Sequence, residues 1–141
     1  MSFTASRMNV PTFIRNHEAV VSFFGRWPSF HDANVLSYQS APDSICVTLH
    51  TWQMTNEVDA RGYFVLRNHA LVTFRFSGLY EVRMDAFRAN NNLFGFQISL
   101  SSAPASFNVE LDSNMDMSGS FSAHSGEVVS VVPCTEDGTV V

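Results

Sequence analysis

A chain of 141 residues, 45% hydrophobic and 15% charged, can bury one core but has no room for a second, so one domain is expected over residues 1–141. A net charge of -5 disfavours the phosphate contacts of non-specific nucleic-acid binding, and all eight basic residues are Arg, which removes every mechanism that needs a lysine amine. Thirteen Phe, two Trp and three Tyr exclude a disordered chain and favour strands.

In chain order, Asn16 is a helix N-cap, Glu18 sits in the first turn, and Val20, Phe23 and Phe24 form an apolar stripe that ends at Gly25. Trp27-Pro28 stops the helix, because proline disfavours a helical conformation in the residue before it. From Ala33 the period becomes two, and Ala41-Pro42-Asp43-Ser44 turns the chain into a strand from Ile45 to about Trp52. Its apolar residues lie on both faces, so this strand is predicted to be central.

The polar stretch Gln53 to Gly62 predicts a loop or a frayed hairpin end. Tyr63 to Leu66 and Leu71 to Phe76 resume the strand pattern, and Ser77-Gly78 turns it. Tyr80, Val82 and Met84 then alternate with Glu81, Arg83 and Asp85, predicting one dry and one wet face. Asn90-Asn91-Asn92 is a break, Phe94 to Leu100 a strand, and Ser101-Ser102-Ala103-Pro104 its end. Phe107 to Leu111, Met117 to Ala123 and Glu127 to Val132 complete the set, with turns at Asp112-Ser113-Asn114 and Ser125-Gly126.

The fold class predicted is mainly β, or α+β with one short N-terminal helix: about eight antiparallel strands in a curled sheet or a two-sheet sandwich. Residues 1–12 and 135–141 are expected to be flexible. No stretch approaches the ~18 consecutive apolar residues of a membrane span, and the start has no signal-peptide core, so a cytoplasmic protein without a membrane partner is expected.

Cys46 and Cys134 form no CxxC pair and are expected as reduced thiols, Cys46 partly buried, with no disulfide framework or zinc site. The five histidines, His17, His31, His50, His69 and His124, have no metal-ligand spacing and read as ordinary strand or surface residues. No metal or other cofactor is expected. His31-Asp32 invites an acid/base reading, but neighbours on extended backbone point to opposite faces and no GxSxG nucleophile accompanies them. A structural role at the helix-to-strand junction is therefore preferred over a hydrolase or isomerase centre. Trp27 and Trp52 read as core anchors rather than interface hot spots. Glu57, Asp59, Glu81 and Asp85 are the candidate contacts for a basic partner, weighed against an ordinary solvated surface.

The run Phe24-Gly25-Arg26-Trp27-Pro28-Ser29-Phe30-His31-Asp32-Ala33 resembles the immunity protein 50 family, bacterial proteins encoded beside polymorphic toxins. Further likeness lies in His50-Thr51-Trp52, Leu71 to Gly78, Asn92-Leu93-Phe94-Gly95 and Phe107 to Val131. The resemblance implies a mainly β, non-catalytic protein that binds a cognate toxin and occludes it. Within the motif, Trp27, Pro28, Phe30, His31 and Asp32 are carried over as a fold signature. Asn34 stands where the family has an acidic residue, so no contact charge is carried to that position. The alternative is a small-molecule-binding β domain whose aromatic residues line a cavity. Monomer and homodimer both fit, since an open sheet has free edges.

Overall fold

The computed structural model describes residues 10–85, 93–100, 106–113 and 118–141. The expected breaks at Asn90-Asn91-Asn92 and Ser101 to Pro104, and Met117, lie outside the described residues, as do residues 1–9.

Helix α1 spans His17–Phe24, and the expected Gly25 cap is present: its φ is 80° and its N–H donates to Val21 O at 2.7 Å. Asn16 occupies the N-cap position but does not cap. Its backbone is left-handed, with φ 62°, and its Nδ2 donates across the fold to Val128 O at 3.0 Å. The side chain thus anchors the helix start to the last strand instead of to the first turn. Val20 and Phe24 enter the core, as the apolar spacing requires.

Eight strands follow: β1 Asn34–Ala41, β2 Ser44–Val58, β3 Phe64–Ser77, β4 Tyr80–Asp85, β5 Leu93–Leu100, β6 Phe107–Ser113, β7 Ser118–Ala123 and β8 Ser125–Pro133. They form two four-stranded sheets, in the orders β1-β2-β3-β8 and β4-β7-β6-β5, each pair antiparallel. Arg15 adds a parallel bridge beside Glu127 on the outer edge of β8. The fold is thus mainly β, as two sheets with one short helix. No helix among the described residues is long and apolar enough to cross a membrane.

The core lies between the sheets. Ile45, Val47 and Leu49 on β2 and Val72, Phe74 and Phe76 on β3 face Phe96, Phe107, Val109, Leu111 and Phe121 from the second sheet. Its centre is aromatic: Phe74 lies 5.0 Å from Phe96, 5.8 Å from Phe30, and 5.9 Å from both Trp27 and Phe76, between ring centroids. β2 is central, as its two-faced apolar pattern indicates.

Three segments depart from the sequence reading. β2 runs on to Val58 and β3 begins at Phe64, so the polar stretch is strand except for Asp59–Tyr63. Cross-strand backbone bonding suffices where polar side chains pair with each other, a term that strand propensity does not contain. The two expected strands at Tyr63–Leu66 and Leu71–Phe76 are one, continuous through Asn68, whose φ is 54°. On β4 a register shift after Tyr80, with Glu81 at φ 52°, breaks the alternation and leaves Val82 48% exposed where a dry face was expected.

Gly126 on β8 is packed without room for a side chain. A Cβ there would stand 2.7 Å from Ile14 Cδ1 and 2.9 Å from Phe107 Cζ. Gly126→Ala is therefore expected to cost about 1–3 kcal/mol through overpacking, read as a lower urea midpoint at unchanged slope.

Candidate functional site

Beyond His50, β2 loses its β1 neighbour, and before Ala70, β3 loses β8. Among the described residues, Gln53–Val58 and Phe64–Asn68 pair with each other alone, as an arm of roughly 20 Å at the usual rise per strand residue. Thr55 Oγ1 donates to Val65 O at 2.7 Å, Asn68 Nδ2 to Gln53 Oε1 at 2.8 Å, and Arg67 to Glu57 Oε2 at 2.6 Å.

The tip is a three-residue turn. Asp59 N–H donates to Tyr63 O at 2.8 Å, and Gly62, at φ 86°, donates to Asp59 O at 3.1 Å. Asp59 Oδ1 accepts the N–H groups of Arg61 and Tyr63 at 2.8 and 3.1 Å, holding the turn in one shape. The Arg61 guanidinium sits 5.5 Å over the Tyr63 ring. Beside Arg61, this braced tip exposes three large apolar side chains: Tyr63 is 65% exposed, Val58 57% and Phe64 55%.

Glu57 and Asp59, expected as partner contacts, thus serve within the arm, Glu57 through Arg67 and Asp59 through its turn. Glu81 lies elsewhere, on the outer face of the second sheet. There Gly119, Ser120 and Ser122 of β7 floor an open trough of about 400 Å³. Glu81 and Arg83 of β4 form one wall, and Asn108, Glu110 and Asp112 of β6 form the other. Asp85 closes β4, but its side chain lies outside what is described. Three carboxylates against one guanidinium make the trough acidic. Glu110 and Asp112 were missed in the sequence; their outward positions follow from the Val109 and Leu111 alternation once the strand is placed.

The Trp27–Asp32 motif divides in two. Trp27 and Phe30 pack against each other, 5.7 Å between centroids, and both meet Phe74. Pro28 is half-buried between them in sequence. His31 and Asp32 form the outer side of a turn closed by Ala33 N–H donating to Phe30 O at 3.1 Å, with Asp32 at φ 67°. Because this is a turn and not extended backbone, the side chains do not diverge: His31 Nε2 lies 3.6 Å from Asp32 Oδ2, both side chains more than half exposed. Trp52 sits half-buried on the outer face of the first sheet, against His50 and His69 rather than in the core.

No known protein family, curated protein or solved structure matches this chain.

Cys46 and Cys134 are free thiols, Cys46 partly buried. Burial, and then the nearby Asp137 carboxylate, push the Cys134 thiol above its ordinary pKa, which opposes a nucleophilic role. Among the described residues, no group of three or more His, Cys, Asp or Glu is arranged to hold a metal ion.

Proposed function

We propose that this chain is an immunity-type protein that binds a cognate toxin and blocks it by steric occlusion, with the β2–β3 arm as its docking element. One observation carries the reading: a braced two-stranded arm holds Val58, Tyr63 and Phe64 out in solvent, at a cost no isolated fold needs to bear. Rigid aromatic side chains beside an Arg are the composition of interface hot spots, because they bury large areas while losing little conformational freedom. The acidic trough supplies a second surface, suited to steering a basic partner. The likeness of the Trp27–Ala33 run to immunity proteins supports the same class.

The small-molecule alternative needs a cavity between the sheets. Phe30, Phe74, Phe76, Phe96 and Phe121 pack on one another there at ring separations of 5.0 to 6.5 Å, so the aromatic inventory is spent on the core.

The test is titration calorimetry against the toxin domain encoded by the neighbouring gene, paired with a toxicity assay. Wild type is expected to bind and neutralise. The double substitution Tyr63→Ala, Phe64→Ala is expected to weaken binding by about 30-fold or more, consistent with loss of a hot spot, at an unchanged melting temperature. Absence of binding by the wild type would refute the function, and undiminished binding by the double variant would refute the arm.

A further inference from the structure

His50 is only 3% exposed although it points away from the core, on the outer face of the first sheet. Its Nε2 lies 3.0 Å from Nδ1 of His69 on β3, and the Trp52 ring stands 5.3 Å from one imidazole and 5.7 Å from the other. The cover comes from the C-terminal segment, which lacks any pairing pattern in the sequence and yet folds back. Cys134 bridges to Val140, Thr135 N–H donates to Thr139 O at 2.9 Å, and Gly138 N–H donates to Thr135 O at 3.0 Å. Asp137 accepts from the Thr135 hydroxyl and from Thr139 N–H. Gly138 lies against His50: a Cβ there would sit 3.6 Å from His50 Nδ1 and 3.7 Å from Leu36 Cδ1. The segment is also tied to the second imidazole's strand, through Cys134 N–H donating to His69 O at 3.0 Å.

Two facing imidazole nitrogens share one proton, so one donates and the other accepts. A first added proton places a full charge beneath the turn; a second sets N–H against N–H and abolishes the bond. Among the described residues, His69 Nε2 is buried without a hydrogen-bond partner. The titratable groups that act on His50 are His69 from β3 and Asp137 from the turn, while β1 brings the apolar Leu36.

We propose that Cys134–Val141 is an acid-released cap, latched by the neutral His50–His69 pair and lifted when the pair takes up protons. Burial first, and then His69, hold the His50 pKa below its ordinary 6.5, against a partial opposing pull from Asp137. An opened cap returns the imidazole towards 6.5 and so binds more protons than the closed one between the two values. Closure is therefore insensitive to pH above 6.5 and weakens as pH falls below it.

Amide hydrogen exchange of the full chain at pH 7.5, 6.5 and 5.5, corrected for intrinsic rates, tests this. Thr135 and Gly138 are expected to lose protection below pH 6.5, by up to about tenfold per pH unit per titrating group, while Val47 and Phe74 keep theirs. The double variant His50→Gln, His69→Gln, which cannot titrate, is expected to lose that pH dependence. Constant protection of the turn from pH 7.5 to 5.5, equal loss at all four amides, or the same pH dependence in the double variant would overturn the proposal. Imidazole NMR titration of the wild type is a second readout that needs no variant: His50 is expected to titrate below 6.5, and titration at its ordinary value would overturn the latch.

Discussion

Phe74→Ala is expected to lower the unfolding free energy by about 3–5 kcal/mol, the upper range for truncating a buried aromatic residue. The ring is fully buried and meets Trp27 from the helix-to-strand junction, Phe30 from the turn, Phe76 on its own strand and Phe96 from the opposite sheet. Those four rings come from three parts of the chain, the Trp27–Ala33 motif, β3 and β5, so no single side chain can move in to fill the void without breaking another contact. Edge-to-face and tilted ring pairs add about 0.5–1.5 kcal/mol each beyond area burial, and all are lost together. Against a typical total of about 5–15 kcal/mol, this is a large share of the fold's stability. Urea unfolding followed by far-ultraviolet circular dichroism reads the change; a loss under about 1 kcal/mol would mean that the aromatic centre is not what holds the sheets together.

Within the Trp27–Ala33 motif, Phe30→Ala is expected to cost about 3 kcal/mol or more, whereas His31→Ala and Asp32→Ala should each stay within about 1 kcal/mol of wild type. Phe30 has a left-handed backbone, at φ 60°, which is costly for a bulky residue, and its ring is 1% exposed. The strain is tolerated because the ring reaches Trp27, Phe74 and Phe96 from that conformation. His31 Nε2 and Asp32 Oδ2 stand 3.6 Å apart with both side chains more than half exposed, a contact that solvent screens. Thermal unfolding of the three variants separates the cases. Equal destabilisation would mean that the polar half of the motif is structural too; a normal melting temperature with lost toxin binding in His31→Ala would move the interface to this turn.

Much of the architecture was readable from local pattern. Strict alternation in Ile45 to Trp52 and Leu71 to Phe76 marks strands because side chains there meet a core on one face, and the apolar content of the outer face of β2 marks it as central. The Gly25 cap was readable because few other residues take a left-handed backbone without cost. What stayed hidden depends on long-range partners. Asn16 turned from the helix to Val128, more than a hundred residues away. The arm extends through a polar stretch because Glu57, Gln53 and Thr55 find their partners across the hairpin, which no window of neighbouring residues reveals. The bulge at Glu81 moved Val82 outward.

The candidate site followed the same division. Glu57, Asp59 and Glu81 were identifiable as charged and surface-directed, yet composition is silent on which charges are already engaged within the fold. Tyr63 and Phe64 read as a resumed apolar run; the lack of flanking strands beyond His50 and Ala70 leaves them in solvent. His50 and His69 meet because the hairpin register sets residue 50 opposite 71 and residue 52 near 69, a register that two shifts along the hairpin displace from what the turn alone would give.

The chain order of the sheets has a consequence for biogenesis. All of the second sheet is inserted between β3 and β8, so the first sheet waits for its last strand until some fifty further residues have left the ribosome. Until then the bonding edge of β3, flanked by Val72, Phe74 and Phe76, has no partner. Nascent or prematurely terminated chains expose this greasy, unsatisfied ribbon, which makes the interval before β8 emerges the period of greatest aggregation hazard and of greatest demand for a chaperone.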